Sequence, residues 1–265
     1  MKGSFQDSRN ERSSSTETGE FVIEALNLVK VFKEGQIRAV DGLNLKIKRG
    51  EIYALIGANG SGKSTTINLL TGCLFPTSGS INVLGLKIPD KRRIVASQIG
   101  VAPQEYSLYN DLNVEQNIRF FAKLYEMKNW AFEERLDVLL PILKLSERRK
   151  TTVFNLSGGM KRRVSIACAL VHEPKIVFFD EATVGIDPVL RAFFWEYFRE
   201  LANLGLTIIL TSHVMDEAER ADRIGLMRAG RLIEEGTPLE IKQRHSASSI
   251  EEVFLNLSSG EIADE

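Results

Sequence analysis

The sequence predicts an α/β fold with a mostly parallel sheet, an antiparallel β subdomain and an inserted α-helical subdomain. Two apolar runs of strand length, Ile52–Ile56 and Ile176–Phe179, each lead towards a segment with helical character. Strands that alternate with helices are typical of a parallel sheet that is covered on both faces. Apolar and polar residues alternate over Leu43–Ile47, which favours a half-buried strand. The segment at about 105–160 contains only helical patterns and is the predicted insert.

The chain is predicted to divide into three parts. Residues 1–19 are rich in Ser, Thr and charged side chains, a composition typical of a disordered tail. Residues 20–238 are expected to form one domain, with a hairpin-like segment that turns at Ala229-Gly230. A further helix opens at Thr237-Pro238-Leu239-Glu240, so residues 239–265 are predicted to be a C-terminal helix and tail.

Caps and prolines predict several helix boundaries. Asn113 and Gln116 have the spacing of a capping box, which predicts a helix over the residues that follow. A second helix in the insert is expected to be interrupted or bent at Pro141. In the second half of the chain, Asp187 is expected to cap a helix that begins at Pro188.

Composition favours a soluble, cytoplasmic protein. Of the 265 residues 43% are apolar and 26% charged, and the formal net charge is −1. This balance excludes a strong global attraction to nucleic acid or to an acidic membrane. No apolar stretch approaches the roughly 18 residues that cross a bilayer, so any membrane role must come from a partner. Cys73 and Cys168 lie in predicted helices without CxxC spacing, and we expect buried, reduced thiols.

The segment Gly57–Ser64 fits the phosphate-binding pattern GxxxxGK[ST]. It follows the predicted strand Ile52–Ile56 and opens a predicted helix at Lys63, which is the context that this motif needs. Lys63 is expected to hold the outer phosphates, and the Ser64 hydroxyl is expected on Mg²⁺. The alternative is a glycine-rich turn with a surface lysine. The candidate ligand-binding residues of this segment are Gly57, Asn59, Gly60, Ser61, Gly62, Lys63, Ser64, Thr65 and Thr66.

Two acids, Asp180 and Glu181, end the apolar run Ile176–Phe179. The run alone predicts only a buried strand, but ligands of open α/β sheets gather at the carboxyl ends of the strands. Asp180 suits the Mg²⁺ shell, and Glu181 is then free to polarise the attacking water. Together with the phosphate loop, these residues predict a nucleotide-hydrolysing site.

With these residues in place, Leu156-Ser157-Gly158-Gly159-Met160 gives the chain its resemblance to the ATP-binding subunit of an ABC transporter. The resemblance covers roughly Phe21 to Pro238 in unbroken motif order, and it implies a P-loop NTPase (RecA-like) core. It also implies that Ser157, Gly158 and Gly159 bind the γ-phosphate held by an opposite subunit. The implied cofactors are ATP and Mg²⁺. The implied partners are a second ATP-binding subunit and an integral membrane permease, with the chain peripheral on the cytoplasmic face of the membrane.

The same resemblance assigns roles to four further residues. Gln104 resembles the glutamine that senses Mg²⁺ and the γ-phosphate, although a lone Gln is ordinarily a surface residue. His213 follows a predicted strand and resembles the γ-phosphate switch. Asp187 resembles the loop that crosses to the partner's site, besides its expected role as a helix cap. Phe32 is the candidate for adenine stacking, with a buried core Phe as the alternative.

Within this family, the sequence is similar to subunits of ABC-2 and drug-resistance exporters. Two other functions stay open: a soluble ABC-type ATPase that acts in translation or DNA repair, and a nucleotide-binding module that does not hydrolyse. The basic clusters at Lys91–Arg93, Arg148–Lys150 and Lys161–Arg163 are interpreted as solvated surface, and no nucleic-acid partner is expected.

Overall fold

The computed structural model describes residues 20–33, 36–181 and 187–259. The predicted tail at 1–19 and residues 260–265 of the predicted C-terminal helix and tail (239–265) therefore lie outside the described residues. No helix within the described ranges is long and apolar enough to cross a membrane.

Two sheets form the framework of the domain. In chain order the strands are β1 (Phe21–Phe32), β2 (Ile37–Lys48), β3 (Ile52–Ile56), β4 (Ser78–Val83), β5 (Leu86–Ile88), β6 (Ile99–Ala102), β7 (Ile176–Asp180), β8 (Thr207–Ser212), β9 (Arg223–Arg228) and β10 (Arg231–Gly236). An antiparallel sheet has the order β2-β1-β4-β5, and a larger sheet has the order β10-β9-β3-β8-β7-β6. In the larger sheet β10 is antiparallel to β9, and the other neighbours are parallel. The predicted α/β class with two kinds of sheet is confirmed.

The helices begin and end largely where their caps predict. In chain order they are α1 (Lys63–Leu70), α2 (Arg92–Ala96), α3 (Val114–Leu124), α4 (Asn129–Ile142), α5 (Gly158–Leu170), α6 (Pro188–Asn203), α7 (Met215–Ala218), α8 (Pro238–Arg244) and α9 (Ile250–Ser259). The Asn113–Gln116 capping box is formed at α3, and Asp187 caps α6 through Leu190 N–H. Pro141 is the last residue but one of α4. The helix therefore ends next to this proline and is not bent there.

The larger sheet is buried on both faces, which explains its continuous apolar strands. In β7, Val177 and Phe179 face one apolar cluster that includes the insert helices and α6. Ile176 and Phe178 face a second cluster, which includes residues of the antiparallel sheet and α1. Complete burial of side chains of this size contributes about 1.5–3 kcal/mol each. Burial of both faces fixes the strand register, and the register sets which strand ends are neighbours.

Two sequence interpretations are wrong. Cys168 is buried as expected, but Cys73 is exposed, because α1 ends at Leu70 and the chain has left the helix. The interpretation of the basic clusters as solvated surface holds for Lys91–Arg93, whose side chains are exposed, but fails for Arg162. Arg149 lies 2.6 Å from the carboxylate of Glu115, and the guanidinium of Arg162 is buried against backbone carbonyls. Sequence pattern could not reveal these partners, since each is more than 30 residues away.

Candidate nucleotide site

The predicted site residues follow the carboxyl ends of four neighbouring strands. The phosphate loop follows β3, Gln104 follows β6, Asp180 and Glu181 end β7, and His213 follows β8. The register pairs Ile56 with Ser212 and Asp180 with Thr211, so these ends lie at one edge of the sheet. Ligands of open α/β sheets bind at such an edge.

The glycines of the loop allow the backbone to pack where side chains would not fit. A Cβ on Gly57 would stand 2.2 Å from the Met227 carbonyl oxygen, and a Cβ on Gly62 would stand 2.3 Å from the Ala39 carbonyl oxygen. Gly62 also has φ +104°, a conformation that side-chain-bearing residues rarely adopt. These two positions fix the loop against β9 and β2.

The Lys63 side chain is held within the loop. Its ammonium donates to the carbonyl oxygens of Gly57, at 2.8 Å, and Ala58, at 3.0 Å. Burial lowers the pKa of Lys63 from its ordinary value, while the carboxylates of Glu181 and Asp180 act in the opposite direction. No described side chain caps the N-terminus of α1. A buried cation beside an uncapped helix N-terminus is suited to an anionic ligand.

Asp180 lies within a small hydroxyl network. The Ser64 hydroxyl donates to Asp180 Oδ1 at 3.1 Å, and the Thr211 hydroxyl donates to the same oxygen at 2.5 Å. Sequence analysis did not identify Thr211 as a site residue, and its position one residue before the end of β8 is the signal that could have found it. A carboxylate and a hydroxyl are hard oxygen donors of the kind that hold Mg²⁺ together with phosphate oxygens.

Glu181 is held from two sides. Gln104 Nε2 donates to one carboxylate oxygen at 3.1 Å, and His213 Nδ1 lies 3.3 Å from the other. The backbone N–H of Glu181 faces the carbonyl and the hydroxyl of Thr211. The residue is buried and has φ +51°, a left-handed conformation that costs about 1–2 kcal/mol for a residue with a Cβ. A strained conformation of this kind persists only where contacts with the surrounding structure hold it in place, and such residues cluster at functional sites.

A cavity of about 240 Å³ joins the loop to these side chains. Its lining consists of Ala39, Asn59, Gly60, Gly62, Lys63, Ser64, Thr65, Gln104 and Glu181. The other predicted residues of the sheet edge are not part of this lining: Gly57, Ser61, Thr66, Asp180 and His213. The Thr66 hydroxyl donates to the Gly62 carbonyl at 3.0 Å, so this side chain supports the loop and does not line the cavity. The Ser61 hydroxyl is buried beside Gly57 and has no hydrogen-bond partner among the described residues.

The Leu156–Met160 segment does not line this cavity. Ser157 caps α5 by accepting the Met160 N–H at 3.3 Å. Ser157 and Gly158 are exposed, so the tip of α5 faces outwards. The structure therefore brings the phosphate loop, Gln104 and Glu181 together and leaves the α5 tip outside.

Two further predicted residues also lie outside the cavity lining. Phe32 is half-buried at the end of β1, and the Lys30 ammonium lies 5.0 Å from its ring centroid. Asp187 is exposed and accepts the Leu190 N–H at 2.9 Å. Adenine stacking by Phe32 and the crossing role of Asp187 stay predictions. The adjoining residues 182–186 lie outside the described residues.

The fold and the site define a P-loop ATPase cassette. Its mostly parallel sheet has the phosphate loop after the inner strand β3 and the acids Asp180 and Glu181 at the carboxyl end of β7. The sequence model of the ABC transporter family matches residues 40–184, more than half of the chain. The chain belongs to the ABC transporter family.

Relatives include ATP-binding proteins named for multidrug transport and for linearmycin resistance. The chain is 40% identical over 244 residues to the probable multidrug ABC transporter ATP-binding protein YbhF of Escherichia coli, a match that covers 90% of this chain. The chain spans only 42% of the length of that relative. It is 37% identical to the linearmycin resistance ATP-binding protein LnrL of Bacillus subtilis, over 86% of this chain and 73% of that protein.

A solved structure gives the same fold. It is a dimeric, post-hydrolysis state of the ATP-binding cassette MJ0796 bound to ADP and Pi. The two chains have a TM-score of 0.75 and are 26% identical, over 81% of this chain and 98% of the other.

Proposed function

We propose that this protein is the ATP-hydrolysing subunit of a transporter, and that ATP binds between two copies of the chain. The observation that carries this proposal is the division of the site. The cavity contains the phosphate loop, Gln104 and Glu181, whereas the exposed tip of α5 at Ser157 lies outside it. Each complete site would then take its second half from a partner, and a symmetric pair of chains supplies two such halves.

The residues at the sheet edge suit phosphoryl transfer to water. Phosphoryl transfer needs little covalent chemistry from the protein, so positioning and charge stabilisation carry most of the catalysis. Lys63 and the N–H groups at the start of α1 would bind the phosphates. Ser64, Asp180 and Gln104 would hold Mg²⁺, which neutralises charge on the phosphates when bound.

Glu181 is the residue that would orient and polarise water. Its two oxygens offer about four acceptor positions, so a carboxylate that already contacts Gln104 and His213 can still accept from a water molecule. Gln104 and His213 would therefore orient Glu181 and present it to the attacking water. Burial of Glu181 strengthens each of these electrostatic interactions.

The names of the relatives support a transport role, probable multidrug transport for one and linearmycin resistance for the other. We propose export through a partner permease, with this chain bound peripherally at the cytoplasmic face of the membrane. The experiment is extraction of tagged protein from its native membranes in detergent. An integral membrane protein that copurifies in a fixed ratio supports the proposal, and copurification with ribosomes or DNA contradicts it.

A mixing experiment tests the shared site directly. Lys63→Ala removes the phosphate-binding cation, and Ser157→Arg places a bulky side chain at the α5 tip. Neither variant alone can form a complete site, but a mixed pair forms one. Random pairing of an equal mixture gives half of the dimers one complete site each, so ATPase activity should reappear, with roughly a quarter of the unaltered rate as its upper limit. A mixture as inactive as the separate variants, with both folded, would contradict a site shared between copies.

A further inference from the structure

The segment Gln104–Tyr106 spans the distance between the two halves of the proposed shared site. At one end, the Gln104 amide donates to the Glu181 carboxylate at 3.1 Å, inside the cavity of its own chain. At the other end, the Tyr106 hydroxyl lies 3.5 Å from the position that a Cβ on Gly158 would occupy. Gly158 is the first residue of α5, at the exposed tip that does not line the cavity.

Arg162 fastens this segment to α5. Its guanidinium donates at 2.7 Å to the Pro103 carbonyl and at 2.7 Å to the Gln104 carbonyl. The same group lies 4.8 Å from the ring centroid of Tyr106. Arg162 is 5% exposed, so its two bonds are shielded from water and each is worth more than a surface contact. The planar guanidinium can hold two carbonyls and an aromatic face at once, which an ammonium cannot do.

This contact is specific to one of two neighbouring arginines. Arg163 donates to the carbonyls of Leu143 and Lys144, both at 3.3 Å, which follow the end of α4. Arg163 therefore anchors α5 to the insert, whereas Arg162 anchors it to the segment that reaches Glu181. The two side chains offer a matched pair for substitution on one helix.

We propose that Arg162 is a positioning residue that couples the two nucleotide sites of a dimer. The inference rests on the proposed shared site. A shift of Gln104 caused by nucleotide in its own cavity is transmitted through Arg162 and Tyr106 to the α5 tip, which serves the opposite cavity. Coupling of two sites requires such an element, whose position both ligands influence.

The experiment measures the ATPase rate against ATP concentration for the full chain, with Arg162→Met compared with Arg163→Met. For Arg162→Met we expect kcat to fall about tenfold or more and the Hill coefficient to fall from near two to near one. ATP affinity is measured at equilibrium, with Glu181→Gln added to each protein to prevent hydrolysis. It should differ less than about threefold between the proteins with and without Arg162→Met. Arg163→Met should retain the cooperative curve, because its contacts do not reach Gln104. Arg162→Lys can bond one carbonyl and should give an intermediate Hill coefficient.

Tyr106→Phe tests the other end of the segment without a change in the buried cation. It removes only the hydroxyl beside Gly158, at a side chain that is already partly exposed. We expect a smaller loss of cooperativity than for Arg162→Met. The double variant should lose no more than Arg162→Met alone, because both residues act through one element.

The outcomes separate this inference from the proposed function. A non-cooperative curve for the unaltered protein, with no ATP-dependent pairing, would overturn the shared site and the inference with it. A cooperative unaltered protein whose Arg162→Met variant folds and is equally cooperative would overturn the inference alone. So would an equal loss of cooperativity in Arg163→Met.

Discussion

His172 makes the stability of this protein depend on pH in a range that is easily measured. Its Nε2 atom lies 3.0 Å from the Ile99 carbonyl oxygen, so this nitrogen carries the proton in the neutral ring. Nδ1 is buried and has no hydrogen-bond partner among the described residues. The ring stacks on Tyr125 with 3.4 Å between centroids. A second proton would therefore sit on a buried nitrogen without an acceptor, near the cation of Arg135.

The size of the effect follows from the pKa. Burial is the main cause that lowers the pKa of His172 from 6.5 to about 4; the Arg135 charge adds to it, and the Ile99 carbonyl opposes it. Because the folded-state pKa is depressed, the unfolded chain binds more protons in acid. This stability is present above about pH 6.5 and is lost as the pH falls towards about 4. Between about pH 7.5 and about pH 5 the loss is about 2 kcal/mol, or about 1 kcal/mol once the partial exposure of the ring is allowed for.

The assay compares the unaltered protein with His172→Phe, which keeps an aromatic ring against Tyr125. Free energies of unfolding are measured with urea at the two pH values for both proteins. All other ionisable groups are the same in both proteins, so the difference between the two pH responses isolates His172. We expect the unaltered protein to lose about 1–2 kcal/mol more than the variant on acidification. Equal losses in the two proteins would refute the reasoning, whatever the absolute stability of the variant.

Three further substitutions test local parts of the structure. The pKa of the Glu115 carboxyl is lowered to about 2, chiefly by the Arg149 guanidinium. Glu115→Gln removes this carboxylate, so we expect the free energy of unfolding at neutral pH, measured with urea, to fall by about 1–2 kcal/mol. The fall should be smaller in high salt. This contribution is present above the ordinary carboxyl pKa and is lost as the pH falls from about 4.5 to about 2. Gly62→Ala should abolish binding of a fluorescent ATP analogue, while Gly85→Ala, at φ +74° in open space, should leave the affinity unchanged. Asp187→Ala removes a helix cap and should cost about 1 kcal/mol of unfolding free energy.

Features that depend on a few adjacent residues could be predicted from the sequence. The phosphate loop, the α3 capping box and the Pro188 helix start each have a signal within about eight residues. The apolar run of β7 predicted a buried strand, and the two acids that follow the run predicted the edge of the sheet where the cavity lies. The hairpin turn at Ala229-Gly230 is also confirmed, and both residues have positive φ.

Features that depend on a side chain reaching across the fold could not be predicted. A run of three basic residues has the same pattern whether the side chains are solvated or, like Arg162, buried against carbonyls about 60 residues away. Thr66 lies just after the loop motif, but only the structure shows that its hydroxyl donates to the Gly62 carbonyl. The wrong prediction for Cys73 is of another kind, because Gly72, with φ +76° after the Thr71 cap, is a local signal for the end of α1. The Arg162 contacts reflect packing between distant segments, which local periodicity does not record.

The central claim is that ATP joins two copies of this chain through the phosphate loop of one and the α5 tip of the other. Sedimentation of Glu181→Gln with Mg²⁺ and ATP tests it most directly, since this variant should bind ATP but hydrolyse it very slowly. We predict a dimer with ATP, a monomer with ADP, and no dimer when Ser157→Arg is added. A protein that stays monomeric while it is saturated with ATP would contradict the claim.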